Sequence, residues 1–233
     1  MRIATFNVEN LDLPLGHRGE VLRPALERLD ADILCLQEVN GQRAAGQRGR
    51  QLEALDQLLD GTPYAGHHRA FSELRPGAGV ADVHNLVTLS RLPILERRLV
   101  RHDIVTPLGY RFTTAAPEDA GTAPIVFERP LLVTVHDTGG APLTIVNVHL
   151  RAPLASLVAG QKSGPFAWRS VRGWAEGYFV SAMKRGGQAL ELRLVIDEIF
   201  DREPAALLAI AGDFNAEDHE TAVRIAAGAP ADP

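Results

Sequence analysis

Residues 205–215 read Ala-Ala-Leu-Leu-Ala-Ile-Ala-Gly-Asp-Phe-Asn. An unbroken apolar run of this kind, closed by a glycine, reads as a strand. It delivers a carboxylate, Asp213, and a carboxamide, Asn215, to its end. Strand ends are where a rigid sheet presents reactive groups to a crevice. Three other stretches have the same character: Phe6-Asn7-Val8-Glu9-Asn10, Leu36-Gln37-Glu38-Val39-Asn40 and Val146-Asn147-Val148-His149-Leu150. An apolar strand needs none of these polar residues in order to fold.

Periodicity between these junctions supplies the rest of the architecture. Strands are expected at 2–8, 32–37, 85–90, 94–105, 125–136, 143–150 and 205–213, with Pro130 making its strand an edge or dividing it. Leucines at helical spacing predict helices over 20–29 and 51–59, and 188–200 is amphipathic. Residues 41–50 and 107–124 read as loops. Mixed strands and helices with several β-β connections favour α/β layers with mixed sheets over a regular doubly wound sheet. No stretch has the composition of a linker, so a single domain over 1–233 is expected.

Composition sets bounds. The chain has 233 residues, 45% hydrophobic and 23% charged, enough for a sizeable core. Its one cysteine, Cys35, lies in an apolar run and reads as a buried thiol, and no internal disulfide is possible. With no signal-like leader and no apolar run of about 18 residues, a cytoplasmic protein without stable membrane insertion is expected. A formal charge of −5 argues against wholesale attraction to nucleic acid. Yet residues 151–190 hold six Lys or Arg against one acid, Glu176, a local net of +5. Such a patch suits an anionic ligand, or is a solvated mixed-charge loop. Oligomeric state leaves no mark in the sequence.

The polar inventory at the four junctions is carboxylate, carboxamide and imidazole. Hard oxygen donors suit Mg²⁺ or Mn²⁺ better than zinc. Glu38 is the candidate anchor for such an ion, helped by Asn7. Asp213 is placed to accept a proton from an attacking water. Asn215 and His149 are candidates for hydrogen bonds to a charged phosphoryl oxygen. Each also has an ordinary structural explanation, as cap, turn former or satisfied core histidine. What tells for chemistry is the recurrence of complementary groups at four junctions.

These strings resemble the endonuclease/exonuclease/phosphatase family of metal-dependent phosphoesterases. The resemblance is carried by FNVEN at 6–10, LQEVN at 36–40, NLVTLSRLPI at 85–94, NVHL at 147–150 and GDFN at 212–215. Arg185-Gly186-Gly187-Gln188 is similar to the R-x-x-Q that precedes the family's helix before GDFN. The resemblance implies a layered α/β sandwich of two mixed β-sheets flanked by helices, and divalent-metal hydrolysis of a phosphodiester or phosphomonoester. It gives Glu38 to the metal with Asn7 in support, His149 to the scissile phosphate, Asp213 to the nucleophilic water and Asn215 to phosphate binding. The substrate would be a phosphate ester, whether nucleic acid, lipid phosphate or small molecule.

The sequence departs from the family pattern at its end. Only 18 residues follow Asn215, and the family's terminal S-D-H motif is not among them. His219 follows Asn215 too closely to be that histidine and reads as surface loop or helix start. The closing strands of the second sheet are expected to be missing. Truncation, a second chain or degeneration would each account for this; truncation is preferred because the surviving motifs are intact, and impaired catalysis is then expected. Residues 152–184 form an insert holding Phe166, Trp168, Trp174, Tyr178 and Phe179 among basic residues. Arg151, Arg129, Trp168 and Trp174 are candidates for holding substrate, since aromatics beside cations stack bases and hold phosphates. A loop with its own small core is the alternative. So is a phosphate-binding module without turnover, or a metal-free hydrolase using Glu38 and Asp213 as an acid–base pair.

Overall fold

A computed structural model describes residues 1–43, 46, 49–74, 77–118 and 121–228. In chain order the elements are β1 (Ile3–Leu11), α1 (Gly16–Leu29), β2 (Ile33–Val39), α2 (Glu53–Leu59), a 3₁₀ turn at Pro63–Gly66, β3 (His68–Phe71), β4 (Asn85–Ser90) and β5 (Ile94–Val100). They continue with β6 (Leu108–Tyr110), β7 (Ala123–Ile125), β8 (Leu131–His136), β9 (Leu143–His149), α3 (Val171–Arg202), β10 (Leu207–Asp213) and α4 (Thr221–Ala227). The chain divides into two compact units.

The first unit comprises Met1–Val100, Arg129–His149 and Arg202–Asp213. It contains two four-stranded sheets, ordered β1-β2-β4-β3 and β10-β9-β8-β5. Each sheet is mixed: β1 with β2 and β9 with β10 pair parallel, and the remaining neighbours antiparallel. β2 explains the layering. Its residues alternate between two buried faces, which is why its sequence is a continuous apolar run. Leu34 and Leu36 pack with Leu26, Leu55, Leu58 and Leu59 from α1 and α2. Ile33 and Cys35 face the other way, onto Leu143 and Ile145 of the second sheet. Burial pushes the Cys35 thiol up to about 12, so it is an inert core group.

Between the sheets lies a small polar layer. Gln37 Nε2 donates to Asn147 Oδ1 at 2.8 Å, and Thr5 Oγ1 donates to Gln37 Oε1 at 3.2 Å. Asn147 Nδ2 donates to the carbonyls of Leu36 and Val87 at 3.3 and 3.1 Å. A second tie joins His136 Nδ1 to Ser90 Oγ at 2.9 Å. Burial pushes the His136 imidazole down to about 4, so the ring is neutral there.

The second unit comprises Arg101–Glu128, Leu150–Asp201 and Phe214–Pro233. Its spine is α3, 32 residues long. The sequence predicts a helix only over 188–200, because Gly173, Gly177, Gly186 and Gly187 weaken helix propensity and hide the period. Packing overrides propensity here. A Cβ on Gly177 would lie 2.3 Å from the Ser156 carbonyl oxygen, and one on Gly173 2.4 Å from Gln161 Oε1. The loop at 152–170 therefore lies directly on the helix, and the expected insert is part loop and part helix. The R-x-x-Q string falls inside α3, not ahead of it.

Buried α3 carboxylates also anchor residues 102–114, and within the expected loop at 107–124 β6 and β7 pair as a short ladder. Glu191 accepts from the backbone N–H groups of His102, Ile104 and Val105 at 3.0, 3.1 and 3.3 Å. Glu176 accepts from Thr113 N at 2.6 Å, Thr114 N at 2.8 Å, Thr113 Oγ1 at 2.9 Å and Tyr110 Oη at 3.0 Å, and from Thr114 Oγ1. The strand expected over 94–105 stops at Val100 because the next residues serve these bonds. The strand expected over 125–136 begins only after Pro130, at Leu131, and is an inner strand, not an edge; Ile125 instead closes β7. The short strand β3 was not expected; its four residues are too few to show a period.

Burial works against ionisation of Glu176, but its Thr114 and Thr113 donors prevail and hold the carboxyl at about 2. A carboxylate depressed in the folded state adds stability above its ordinary 4.5 and gives it up as pH falls toward 2. Urea unfolding at pH 5 and pH 2.5 should differ by about 2 kcal/mol through this group. In Glu176→Gln that part of the pH dependence should vanish.

Candidate active site

Four of the residues singled out from sequence converge at one end of the first unit. Asn7 and Glu38 come from β1 and β2, whose parallel register stops at Asn7 opposite Gln37 and resumes at Leu11 opposite Val39. His149 and Asp213 are register partners at the ends of β9 and β10. Asn7 Nδ2 donates to Glu38 Oε1 at 3.0 Å and to Asp213 Oδ2 at 2.9 Å. His149 Nε2 lies 3.6 Å from Glu38 Oε1 and 3.7 Å from Asp213 Oδ2. One amide and one imidazole are thus set against two carboxylates.

The irregular backbone between Asn7 and Leu11 shapes this corner. Glu9 and Asn10 both have positive φ, 47° and 54°. That turn brings Glu9 N to Asn7 Oδ1 at 2.8 Å and Asn10 N to Glu38 Oε2 at 3.1 Å. Arg18 of α1 holds it, donating to the carbonyls of Val8, Glu9 and Asn10 at 2.5, 2.7 and 3.2 Å. Glu38 itself has φ 63°, where β2 loses register with β4. Backbone of this kind costs about 1–3 kcal/mol per residue and persists where the surroundings impose it.

Gly212 has a different task. A Cβ there would lie 2.0 Å from the Val148 carbonyl oxygen, and its φ is 152°. Only glycine lets β10 approach β9 closely enough to bring Asp213 beside His149.

The structure adds a residue that the sequence reading passed over. His84 Nδ1 lies 3.8 Å from Glu38 Oε2, and its ring meets that of His149 edge-on, centroids 6.0 Å apart. In sequence, a polar group stands out where an apolar strand ends. β4 runs antiparallel to β2, so its beginning, not its end, lies at this edge. The same geometry applies to Arg129 ahead of β8, which is antiparallel to β9. Arg18, on a helix, left no such mark.

Glu38, His84 and His149 each offer one donor atom, and these atoms all lie within 4.8 Å of one another. A carboxylate with two imidazoles is a donor set that fits a divalent cation. Burial first, and the Arg129 cation next, push the His149 imidazole down to about 4, against Asp213 and Glu38. Its Nδ1 has no hydrogen-bond partner among the described residues.

The other candidates belong to the second unit. Asn215, with φ 50°, donates from Nδ2 to the Leu150 carbonyl at 3.0 Å. Arg151 N donates to Gln188 Oε1 at 2.7 Å, and Arg185 Nη1 to the Arg151 carbonyl at 3.2 Å, so the R-x-x-Q string holds both backbone polar groups of Arg151. Arg151 also lines a cavity of about 460 Å³ with Phe112, Leu157, Val180 and Lys184. Trp168 lies under Lys162 Nζ, 4.3 Å from its centroid. Trp174 stacks on Tyr178 at 5.4 Å along the exposed side of α3.

The profile of the Endonuclease/Exonuclease/phosphatase family matches residues 4–232. The chain belongs to that family. No curated protein sequence matches it. Among solved structures it is similar to TDP2 from C. elegans, with 16% identity, TM-score 0.52, and coverage of 92% of this chain and 47% of that one. It is similar to sphingomyelinase C from Streptomyces griseocarneus, with 18% identity, TM-score 0.54, and coverage of 98% and 70%. The human Nocturnin catalytic domain with bound sulfate anion gives 17% identity, TM-score 0.54, and coverage of 96% and 67%. At these identities the likeness is one of fold, and the two mixed sheets with flanking helices are the fold shared. The chain spans about half the length of the C. elegans protein. Among the described residues, no helix of this family member is long and apolar enough to cross a membrane.

Two outcomes test the geometry. Gly212→Ala should displace β10 from β9 and lower stability by about 2–4 kcal/mol in urea unfolding; a change under 0.5 kcal/mol would contradict the close approach. In the metal-free protein, imidazole NMR should show His149 neutral from pH 7 down to pH 5. Because its folded value lies below 6.5, the unfolded chain binds more protons between pH 6.5 and 4. Stability should therefore fall with pH across that window.

Proposed function

We propose that this chain is a divalent-metal-dependent phosphoesterase, acting on a phosphodiester or phosphomonoester. One observation carries the reading: a half-buried carboxylate pair, Glu38 and Asp213, bridged by Asn7 Nδ2 and facing His149 Nε2. Glu38 is the residue to hold Mg²⁺ or Mn²⁺. When bound, the ion would act as Lewis acid and template for in-line attack.

The chain's own groups divide the remaining work. Asn7 fixes the two carboxylates with one amide, so that neither can swing away. Asp213, the more open of the two with 31% of its side chain exposed against 15% for Glu38, is placed to take a proton from water. His149, held neutral by burial, carries its ring proton toward the carboxylates at Nε2 and can turn it to a phosphoryl oxygen. Arg129 adds positive charge close to His149. Asn215 is assigned to phosphate binding, and Arg151, Trp168 and Trp174 to the remainder of the substrate, by their places in the sequence. The Nocturnin catalytic domain, similar in fold, binds a sulfate anion, which is tetrahedral like the phosphate proposed as ligand here.

The test uses the purified chain with Mg²⁺ or Mn²⁺ against a generic phosphodiester, a phosphomonoester, plasmid DNA and sphingomyelin vesicles. Turnover should stop with EDTA. Glu38→Gln and Asp213→Asn should each lower it by about 10²–10⁴-fold. Activity that survives EDTA and Glu38→Ala overturns the reading. Binding of phosphate esters without turnover would make the chain a recognition module instead.

A further inference from the structure

His84 is held with more care than a surface histidine requires. It adopts φ 60°, in the left-handed region that only a few per cent of non-glycine residues occupy. Its backbone N–H is bound by Asn40 Oδ1 at 3.2 Å. The next residue, buried Asn85, locks the turn: its Nδ2 donates to the carbonyls of Val39 and Ala81 at 2.9 and 3.0 Å, and its Oδ1 accepts from Ala81 N at 2.7 Å. Two asparagines from two segments thus keep the His84 ring beside Glu38. The conformation is strained, and the ring's nearest carboxylate is the one assigned to the ion. Strain of this sort concentrates where a side chain must be aimed.

We propose that His84 is a direct ligand, through Nδ1, of the divalent ion held by Glu38, and that this nitrogen donor turns the site toward first-row transition ions over Mg²⁺. The proposal rests on the metal-dependent reading above. Its geometry is that of the Glu38 Oε2–His84 Nδ1 pair, 3.8 Å apart. Donors on one ion with bonds of about 2.1 Å stand roughly 3.0–3.4 Å from each other, so a closure of a few tenths of an ångström suffices. The chemistry is that of donor softness. Mg²⁺ takes oxygen and keeps its waters, whereas imidazole suits iron, nickel, copper and zinc, and affinity at such a donor rises from Mn²⁺ through Co²⁺ up to copper. His149 keeps the phosphate role proposed above, its Nε2 beside Glu38 Oε1 while His84 Nδ1 lies beside Oε2.

The experiment measures ion binding, without turnover. The full chain is titrated calorimetrically with Mg²⁺, Mn²⁺ and Co²⁺, and bound Mn²⁺ is examined by electron spin echo for modulation from a coordinated ¹⁴N. His84→Asn is the variant of choice because Asn tolerates positive φ, and a thermal melt verifies its fold; His149→Asn is the control. Expected are Mn²⁺ and Co²⁺ affinities at least about tenfold above that for Mg²⁺ and ¹⁴N modulation in the parent. His84→Asn should lose the modulation and at least about tenfold in Co²⁺ affinity, with Mg²⁺ changed by less than about threefold. His149→Asn should keep the modulation. An ion bound without ¹⁴N modulation, or modulation lost only in His149→Asn, overturns this inference and leaves the metal-dependent reading standing. If no divalent ion binds, both fall. The parent spectrum decides the presence of a nitrogen ligand even if His84→Asn does not fold.

Discussion

One buried amide pair sets the frame for the site. Gln37 and Asn147 meet at 2.8 Å between the two sheets, Gln37 just before Glu38 and Asn147 two residues before His149. Each is saturated by further bonds to Thr5 and to the carbonyls of Leu36 and Val87. Leaving either amide without its partner would cost about 1–3 kcal/mol, so sliding one sheet over the other is penalised from the first ångström. Apolar packing between Ile33, Cys35, Leu143 and Ile145 supplies cohesion there but little directionality. The amides supply the register, and the residues just beyond them inherit it. This is why Glu38 and His149, on different sheets, come within 3.6 Å.

Much of this was legible from sequence, and the exceptions have physical causes. Asn7, Glu38, His149 and Asp213 stood out because they end apolar strands without helping them fold, and they do converge. Gln37 and Asn147 occur in the same strings, yet nothing in a single chain distinguishes a polar residue aimed at a partner sheet from one aimed at a crevice. His84 went unseen because strand direction is a property of pairing: a residue that opens a strand shares an edge with those that close its antiparallel neighbours. α3 was read at less than half its length because glycines chosen for close contact with Ser156 and Gln161 look like helix breakers. Arg18 was invisible for a further reason. Its carbonyl acceptors belong to a turn whose shape only the folded chain reveals.

The backbone tells the same story as the side chains. Glu9, Asn10, Glu38 and His84 all have positive φ without being glycine, and Glu9, Asn10 and His84 each meet Asn7 or Glu38 directly. Left-handed residues are costly singly and uncommon together. Their surroundings impose them through Arg18, Asn40 and Asn85, groups that make no use of substrate. The scaffold thus spends hydrogen bonds on aiming, and the regular parts of both sheets, with their conventional cores, supply the stability that allows it.

The bond from Asn7 to Asp213 spans 206 residues, nearly the whole chain. Sequence separation enters folding as loop-closure entropy, which must be met before the contact returns anything. The two carboxylates can share their amide only after β10 has docked in parallel beside β9, a pairing that itself awaits the passage through α3. A ribosome-bound chain emerging from its N-terminus would therefore display Asn7 and Glu38 long before Asp213 exists to meet them. Until then two sites of negative charge are not yet neighbours, and their mutual repulsion is deferred to the last stage of assembly, when the rest of the first unit is already in place to hold them together.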